Sequence, residues 1–393
     1  MTRTRPVAIT LGTLLALALS GCTGGVETRA PAESNLQDLG QTKYAVYLSP
    51  PSTDLDAEKG SQGKVLLFEQ DGSYQLVETD GMDNGLFAWN EKALFFSDMN
   101  NDYKIDDSGL EISPSPKTDS QNGMFSTDNG SSIGVYNDGF IENGYASQVV
   151  ISSDGKSTLH EAEGNYFITS QCGDMIYGAS RTTGRYTPPG ELEKEPMMFA
   201  QLTGTKNGSE HVLGSSNLAT EGAVVPDAPC VDGSVYYLSD ASSQSIGDQP
   251  KPVLSAWDTR TGKYTEVPLT NVSNDEPLMR DDGTGLPQLG SASIRKGAIE
   301  WYGAGNAIFT TDLKTGETTH KFNVEGHTSQ ASSSQAVFTP SEVVQLVDNN
   351  DGSDYRIIAY DRDTGREVSR TVLPGLVDEF SNDLILRGFA VRP

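Results

Sequence analysis

Positive charge is scarce in this chain: 28 Lys and Arg stand against 54 Asp and Glu, a formal net charge of -26. A field of that sign repels phosphate backbones and anionic headgroups, so no nucleic-acid partner is expected and charge would not hold the chain on a membrane. Histidine is scarcer still. His160, His211, His320 and His327 show no metal-ligand spacing, and there is neither a Gly-x-Ser-x-Gly elbow nor a phosphate-binding glycine loop. The apolar run from Val7 to Leu19 has 13 residues, whereas crossing a bilayer takes roughly 20. Acids are plentiful enough that a carboxylate pair for glycoside hydrolysis stays open, with no pair singled out.

What the N-terminus does have is an address. Arg3 and Arg5 precede the apolar run, which ends in Leu19-Ser20-Gly21-Cys22, the layout of a signal peptide over residues 1–21. The last four residues resemble the lipobox of bacterial lipoproteins. That resemblance implies cleavage before Cys22 and diacylation of its thiol, so that a fatty-acid anchor holds the chain on the extracytoplasmic face of the cell membrane. An ordinary secreted protein with a chance cysteine at this point is the bland alternative. Cleavage removes Arg3 and Arg5 and no acid, leaving 26 basic against 54 acidic residues, or -28. Residues 22–42 show no apolar period and read as a flexible tether.

Residues 43–393 are organised by a repeat. Ile357-Ile358-Ala359-Tyr360-Asp361-Arg362-Asp363-Thr364-Gly365 is an apolar strand running into a turn, and a polar, alternating strand follows. Related turns end at Gly72, Gly155, Gly208, Gly262 and Gly316; from Gly155 to Gly365 the spacings are 53, 54, 54 and 49 residues. Self-similarity at that period signals radially repeated β-structure. A second unit lies upstream of each hairpin, an apolar-aromatic strand B, seen seven times: Tyr44–Leu48, Ala93–Phe96, Ile133–Tyr136, Met175–Tyr177, Val235–Leu238, Ile299–Tyr302 and Ala336–Phe338. The first copy lacks a strand before it, while the stretch from Asp383 to Val391 follows the last copy with nothing after it. The expected fold is therefore an all-β, seven-bladed β-propeller closed by the C-terminal strand. Gly72 and Gly155 are 83 residues apart where two repeats need about 100, so one blade is short. Six or eight blades, or a pair of β-sandwiches, stay open.

Trp257-Asp258-Thr259-Arg260-Thr261-Gly262-Lys263 and its copies resemble the repeat of quinoprotein-like (PQQ-like repeat) propellers, a group that includes lipoproteins scaffolding envelope assembly. Where that family has a Trp soon after the turn glycine, this chain has Tyr264-Thr265-Glu266 and Glu367-Val368-Ser369, so no quinone cofactor is expected.

Three further features bear on function. Cys172 and Cys230 stand in equivalent places of consecutive repeats, Gln171-Cys172-Gly173-Asp174 and Pro229-Cys230-Val231-Asp232, and read either as a disulfide or as two buried thiols. Asp98-Met99-Asn100-Asn101-Asp102-Tyr103-Lys104-Ile105-Asp106 places side-chain oxygens of Asp98, Asn100, Asp102 and Asp106 at positions 1, 3, 5 and 9, a spacing that resembles calcium loops of EF-hand, dockerin and integrin-like type. Tyr103 replaces the usual Gly, and Gly109 the final carboxylate, so the competing reading is a solvated acidic turn. Long B-to-C connections are predicted at Pro50–Gly63, Thr182–Pro196, Ala241–Pro252 and Asp348–Asp354, and long loops on a rigid scaffold are where binding usually resides. The functional expectation is a membrane-anchored, non-catalytic binding or assembly platform for a protein or glycan. A propeller hydrolase or lactonase is the alternative.

Overall fold

The repeated turn closes as its residues dictate. Asp361 Oδ1 accepts the Thr364 N–H at 2.8 Å, and Gly365, at φ +68°, returns its own N–H to the Asp361 carbonyl at 2.8 Å. The same carboxylate clasp recurs as Thr261 N–H to Asp258 Oδ1 at 2.8 Å and Thr315 N–H to Asp312 Oδ1 at 2.9 Å. Each clasp joins the third and fourth strands of a blade.

The computed structural model describes residues 38–56, 58–142, 144–187, 196–205, 208–220, 224–240, 252–271, 287–325, 335–349, 353–380 and 384–393. These form seven sheets, each built on four antiparallel strands. The first combines Tyr44–Ser49, Gly63–Phe68 and Tyr74–Thr79 with the C-terminal Ile385–Val391, which lies innermost. Its register puts Tyr44 opposite Val391, Val46 opposite Phe389 and Leu48 opposite Leu386, so the ring closes as expected. The short blade is the second: Ala88–Trp89, Leu94–Ser97, Asn101–Asp106 and Gly109–Pro114. The sixth gains a fifth strand, Thr270–Asn271, parallel to Glu317–Asn323.

Two sequence readings need correction. Ala336–Phe338 belongs to the innermost strand of blade seven, Gln335–Phe338, and the second strand is Glu342–Asp348; both runs are apolar, and composition alone does not rank them. Leu39, within the segment read as tether, is fully buried beside Val65 and Leu67. A lone leucine carries no period by which sequence could detect its burial.

Inner strands are buried on both faces because each blade is sandwiched by two neighbours. Along Tyr44–Ser49, Ala45 and Tyr47 pack toward blade two with Leu94 and Phe96, while Tyr44, Val46 and Leu48 pack toward blade seven with Val344 and Leu346. This is the period of two read out in three dimensions. Outermost strands such as Glu367–Leu373 alternate exposed and buried positions instead. Cys172 ends the innermost strand of blade four, Cys230 starts that of blade five, and the two are joined in a disulfide with Cα atoms 5.5 Å apart. Antiparallel order sorts the connections into two faces. First-to-second and third-to-fourth connections make a turn face; second-to-third and blade-to-blade connections make a loop face. Both ends of the described chain sit on the turn face, where Arg392 N–H donates to the Lys43 carbonyl at 2.9 Å. Among the described residues no helix is long and apolar enough to cross a membrane.

Candidate functional site

On the loop face, the connections leaving blades one and two run beside the turn at residues 98–100. Met99 N–H donates to the Gly81 carbonyl at 3.2 Å, Lys117 N–H to the Met99 carbonyl at 2.9 Å, and Asp83 N–H to the Asp119 carbonyl at 2.8 Å. Beneath these strands of backbone lies a buried polar network. Asp98 is fully buried, and its carboxylate accepts the N–H groups of Asp80, Asn100 and Asn101 at 2.8, 2.8 and 2.7 Å and the Tyr103 hydroxyl. Burial pushes its pKa up despite those donors.

The network's cation is Lys117. Its side chain is 0% exposed, and the ammonium lies 3.1 Å from Asp102 Oδ1 while donating to the carbonyls of Asp98 and Asn101 at 3.0 and 3.1 Å. It also sits 5.5 Å from the centre of the Tyr136 ring, a favourable cation–π placement. Burial lowers its pKa, against the pull of Asp102 and Asp98. For Asp102, burial works upward, but the Lys117 charge and the Ser152 and Ser97 hydroxyls outweigh it and hold the carboxyl below its ordinary value. Ser97 Oγ donates to Asp102 Oδ1 at 2.7 Å, Tyr136 donates to Ser97 Oγ at 2.8 Å, and Ser152 and Ser157 close on Asp102 Oδ2 from blade three. Asp102 and Ser152 also line a shallow cleft between blades two and three.

The residues singled out for calcium are thus divided. Asp98 and Asn100 lie in the turn, and Asn100 Nδ2 donates to Asp80 Oδ2 at 2.8 Å. Asp102 and Asp106 lie near opposite ends of the strand Asn101–Asp106, about 13 Å apart at roughly 3.3 Å per residue. Asp106 instead pairs with Lys104 at 2.8 Å and accepts the Ser108 hydroxyl, which bring its pKa to about 2. Calcium needs its oxygens within about 2.3–2.6 Å of one point, so these four do not form one ligand set. Among the described residues no three of His, Cys, Asp and Glu are grouped to hold a metal.

On the same loop face, beside the inner strands of blades one and three, stand Asp83, Asp119 and Arg387. Arg387, on the innermost strand of blade one, pairs with Asp83 Oδ1 at 2.8 Å and donates to the Pro50 carbonyl at 3.2 Å. Asp119 immediately precedes the innermost strand of blade three, Ser120–Ser126; burial, then the nearby Asp83 charge, raises its pKa. Asn84 Nδ2 donates to the Gln121 carbonyl at 3.2 Å, and Gln121 Oε1 accepts the Leu86 N–H at 2.9 Å, fixing the loop that carries Asp83. A carboxylate paired with arginine beside a second, half-buried carboxylate makes a mouth suited to a polar ligand. Sequence reading missed Lys117, Asp83, Asp119 and Arg387, since nothing in Ser-Pro-Lys-Thr-Asp marks its lysine as buried.

Charge is divided unevenly between the faces. The described loop-face connections carry Asp54, Asp56, Glu58, Asp80, Asp83, Asp98, Asp119, Glu142, Asp227, Glu325, Asp354, Asp378 and Glu379 against Lys59, Lys117 and Arg185. On the turn face, Asp38, Glu69, Asp71, Glu91, Asp107, Asp128, Asp154, Asp174, Glu210, Asp232 and Asp363 are nearly balanced by Lys43, Lys92, Arg260, Lys263, Lys296, Lys314, Arg362, Arg366 and Arg392.

No curated protein matches the chain. Among solved structures, an ACO mutant from Synechocystis is similar at TM-score 0.48 and 10% identity, covering 88% of this chain and 92% of that one. Apo AztD from Citrobacter koseri is similar at TM-score 0.44 and 11% identity, covering 90% and 100%. The periplasmic gluconolactonase PpgL from Pseudomonas aeruginosa is similar at TM-score 0.41 and 14% identity, covering 89% and 100%. The family described as YycP, beta-propeller domain, matches residues 37–391, essentially the whole ring, and the chain belongs to that family.

Proposed function

We propose that the protein is an extracytoplasmic lipoprotein, anchored through Cys22, that holds its propeller as a binding platform for a protein or glycan. The observation that carries this reading is the separation of the faces. The described chain reaches the ring at Asp38 on the turn face, while the connection at 50–62 and the Asp83, Asp119 and Arg387 mouth lie on the opposite one; of the other long connections expected from sequence, residues 188–195, 241–251 and 350–352 lie outside the described residues. The 16 steps from Cys22 to Asp38 span at most about 55 Å, so an anchor there attaches on the turn-face side and does not cover the loop face. The Cys172–Cys230 disulfide supports an oxidising compartment. Metabolic labelling with an alkyne fatty acid tests the anchor: wild type should be marked and Cys22→Ala should not, and equal labelling of both overturns it. A second reading, hydrolysis of an extracytoplasmic glycan or lactone, draws on the Asp83 and Asp119 pair. Turnover of such a panel by wild type and its loss in Asp119→Asn would favour it over the platform.

A further inference from the structure

The third blade departs from its neighbours. Its second and third strands, Ser132–Ile141 and Gly144–Ser153, are ten residues each, and they carry a hairpin tip out from the loop face. At that tip Phe140 is 79% exposed and Ile141 44%. Apolar side chains in a mobile loop would be unremarked, but this tip is held. Phe140 lies against Tyr145 with ring centres 4.1 Å apart, and Tyr145 N–H donates to Thr183 Oγ1 of blade four at 2.9 Å. Lower down, Gln148 Nε2 donates to Asp138 Oδ1 at 2.9 Å and Gln148 Oε1 accepts the Thr118 N–H at 3.2 Å, tying the hairpin to the loop that carries Asp119. Register slips by one residue between Ala146 and Ser147, opposite Gly139 at φ +78°, which bends the hairpin.

We infer that this hairpin docks a protein partner that offers an apolar socket rimmed by lysine and arginine. The inference rests on the platform reading and names the partner's chemistry. A rigid aromatic anchor loses little freedom on binding, which is how a few side chains come to dominate an interface. The surroundings decide the rim. Glu142 and Asp138 stand within two residues of the anchor, Arg185 on the adjoining blade-four connection is already paired with Glu163 and Glu210, and the described connections of this face carry far more acid than base, so a basic partner is steered in while anionic lipid and acidic proteins are repelled.

The test places a photo-crosslinking amino acid at position 140 of the full chain in its own cells, with parallel placements at 218 on the loop face and 368 on the outer edge. The captured protein is then purified and its affinity measured. The inference predicts one basic protein captured from 140 and not from 368, bound at least about tenfold more weakly by Phe140→Ser with Ile141→Ser, and released progressively by salt. Those two side chains are exposed, so the variant should fold. Capture of lipid, glycan, an acidic protein or a second copy of this chain at 140 overturns the inference, as does unchanged affinity. Crosslinks from 218 without any from 140 end the inference and leave the platform; none from either position ends both.

Discussion

The seam between blades seven and one packs Val46, Leu48, Leu66, Val344, Leu346, Leu386 and Phe389 against one another. The seam between blades two and three has a small apolar cluster of Ala88, Ala93, Phe95 and Met124, and beside it the Lys117–Asp102 pair with its serines. The first seam unites residues from the two ends of the chain. Hydrophobic burial is non-directional, so it holds distant segments without demanding one geometry. The second seam joins consecutive blades and needs no such reach. What it supplies is direction: every donor and acceptor has an angle to satisfy, and the loops bearing Asp83 and Asp119 inherit that fixed geometry.

The largest effect should come from breaking the apolar seam. Deleting residues 382–393 removes Leu384, Leu386 and Phe389, whose burial contributes on the order of 5–9 kcal/mol, comparable with the whole net stability of a domain, about 5–15 kcal/mol. Soluble expression should fail or melting fall steeply, whereas deleting residues 23–35 should change melting little; similar melting of both truncations would refute closure. Next comes the polar seam. Lys117→Met leaves Asp102 buried without its cation and should cost about 3–5 kcal/mol in chemical unfolding, with part recovered when Asp102→Asn is added. No recovery would mean that the pair is not coupled. A third seam, between blades four and five, carries the disulfide, and Cys172→Ser should cost about 2–4 kcal/mol without altering the response to Lys117→Met.

Acid should distinguish the two seams further. Asp102 is held below its ordinary pKa, so its contribution is complete above about pH 5 and is lost as pH falls below about 4 and through the folded value. Asp98 is raised, so it opposes this by favouring the fold as it takes up a proton. Asp102→Asn should therefore lower melting more at pH 7 than at pH 3, while Leu386→Ala should lower it similarly at both; a pH-independent Asp102→Asn effect would remove the pair from the seam's account. Calcium should have the smallest effect. With Asp98 and Asp102 already occupied by protein donors, millimolar calcium should shift melting little, and a clear rise abolished by Asp98→Ala with Asp102→Ala would show that those donors yield to the ion.

The sequence made the ring legible because its signals are local and repeated. The Asp–Thr–Gly clasp, the apolar second strand and the unmatched C-terminal strand each recur or stand out in one dimension. The mouth was not legible, because Arg387, Asp83 and Asp119 lie in three unrelated stretches that meet only once the ring has closed. The acidic turn at Asp98 was visible but its partners were not: spacing shows which oxygens are available, while only packing shows that backbone N–H groups and Tyr103 take the Asp98 carboxylate and that the Lys117 ammonium lies on Asp102. Arg362 teaches the same point inside the clearest repeat. It occupies the variable place of the turn phrase, yet it is 1% exposed, with its guanidinium on Glu300 Oε2 at 2.9 Å and the Ala292 carbonyl at 2.9 Å.

That both ends of the ring lie side by side makes the order of blades along the chain a convention. With Lys43 and Arg392 hydrogen-bonded across the closing sheet, a short linker joining the two ends would allow the chain to be reopened in a turn such as Thr127–Ser131, at its exposed Asn129. A circular permutant of that kind would retain every blade while making the closing strand continuous with the blade it now completes from afar.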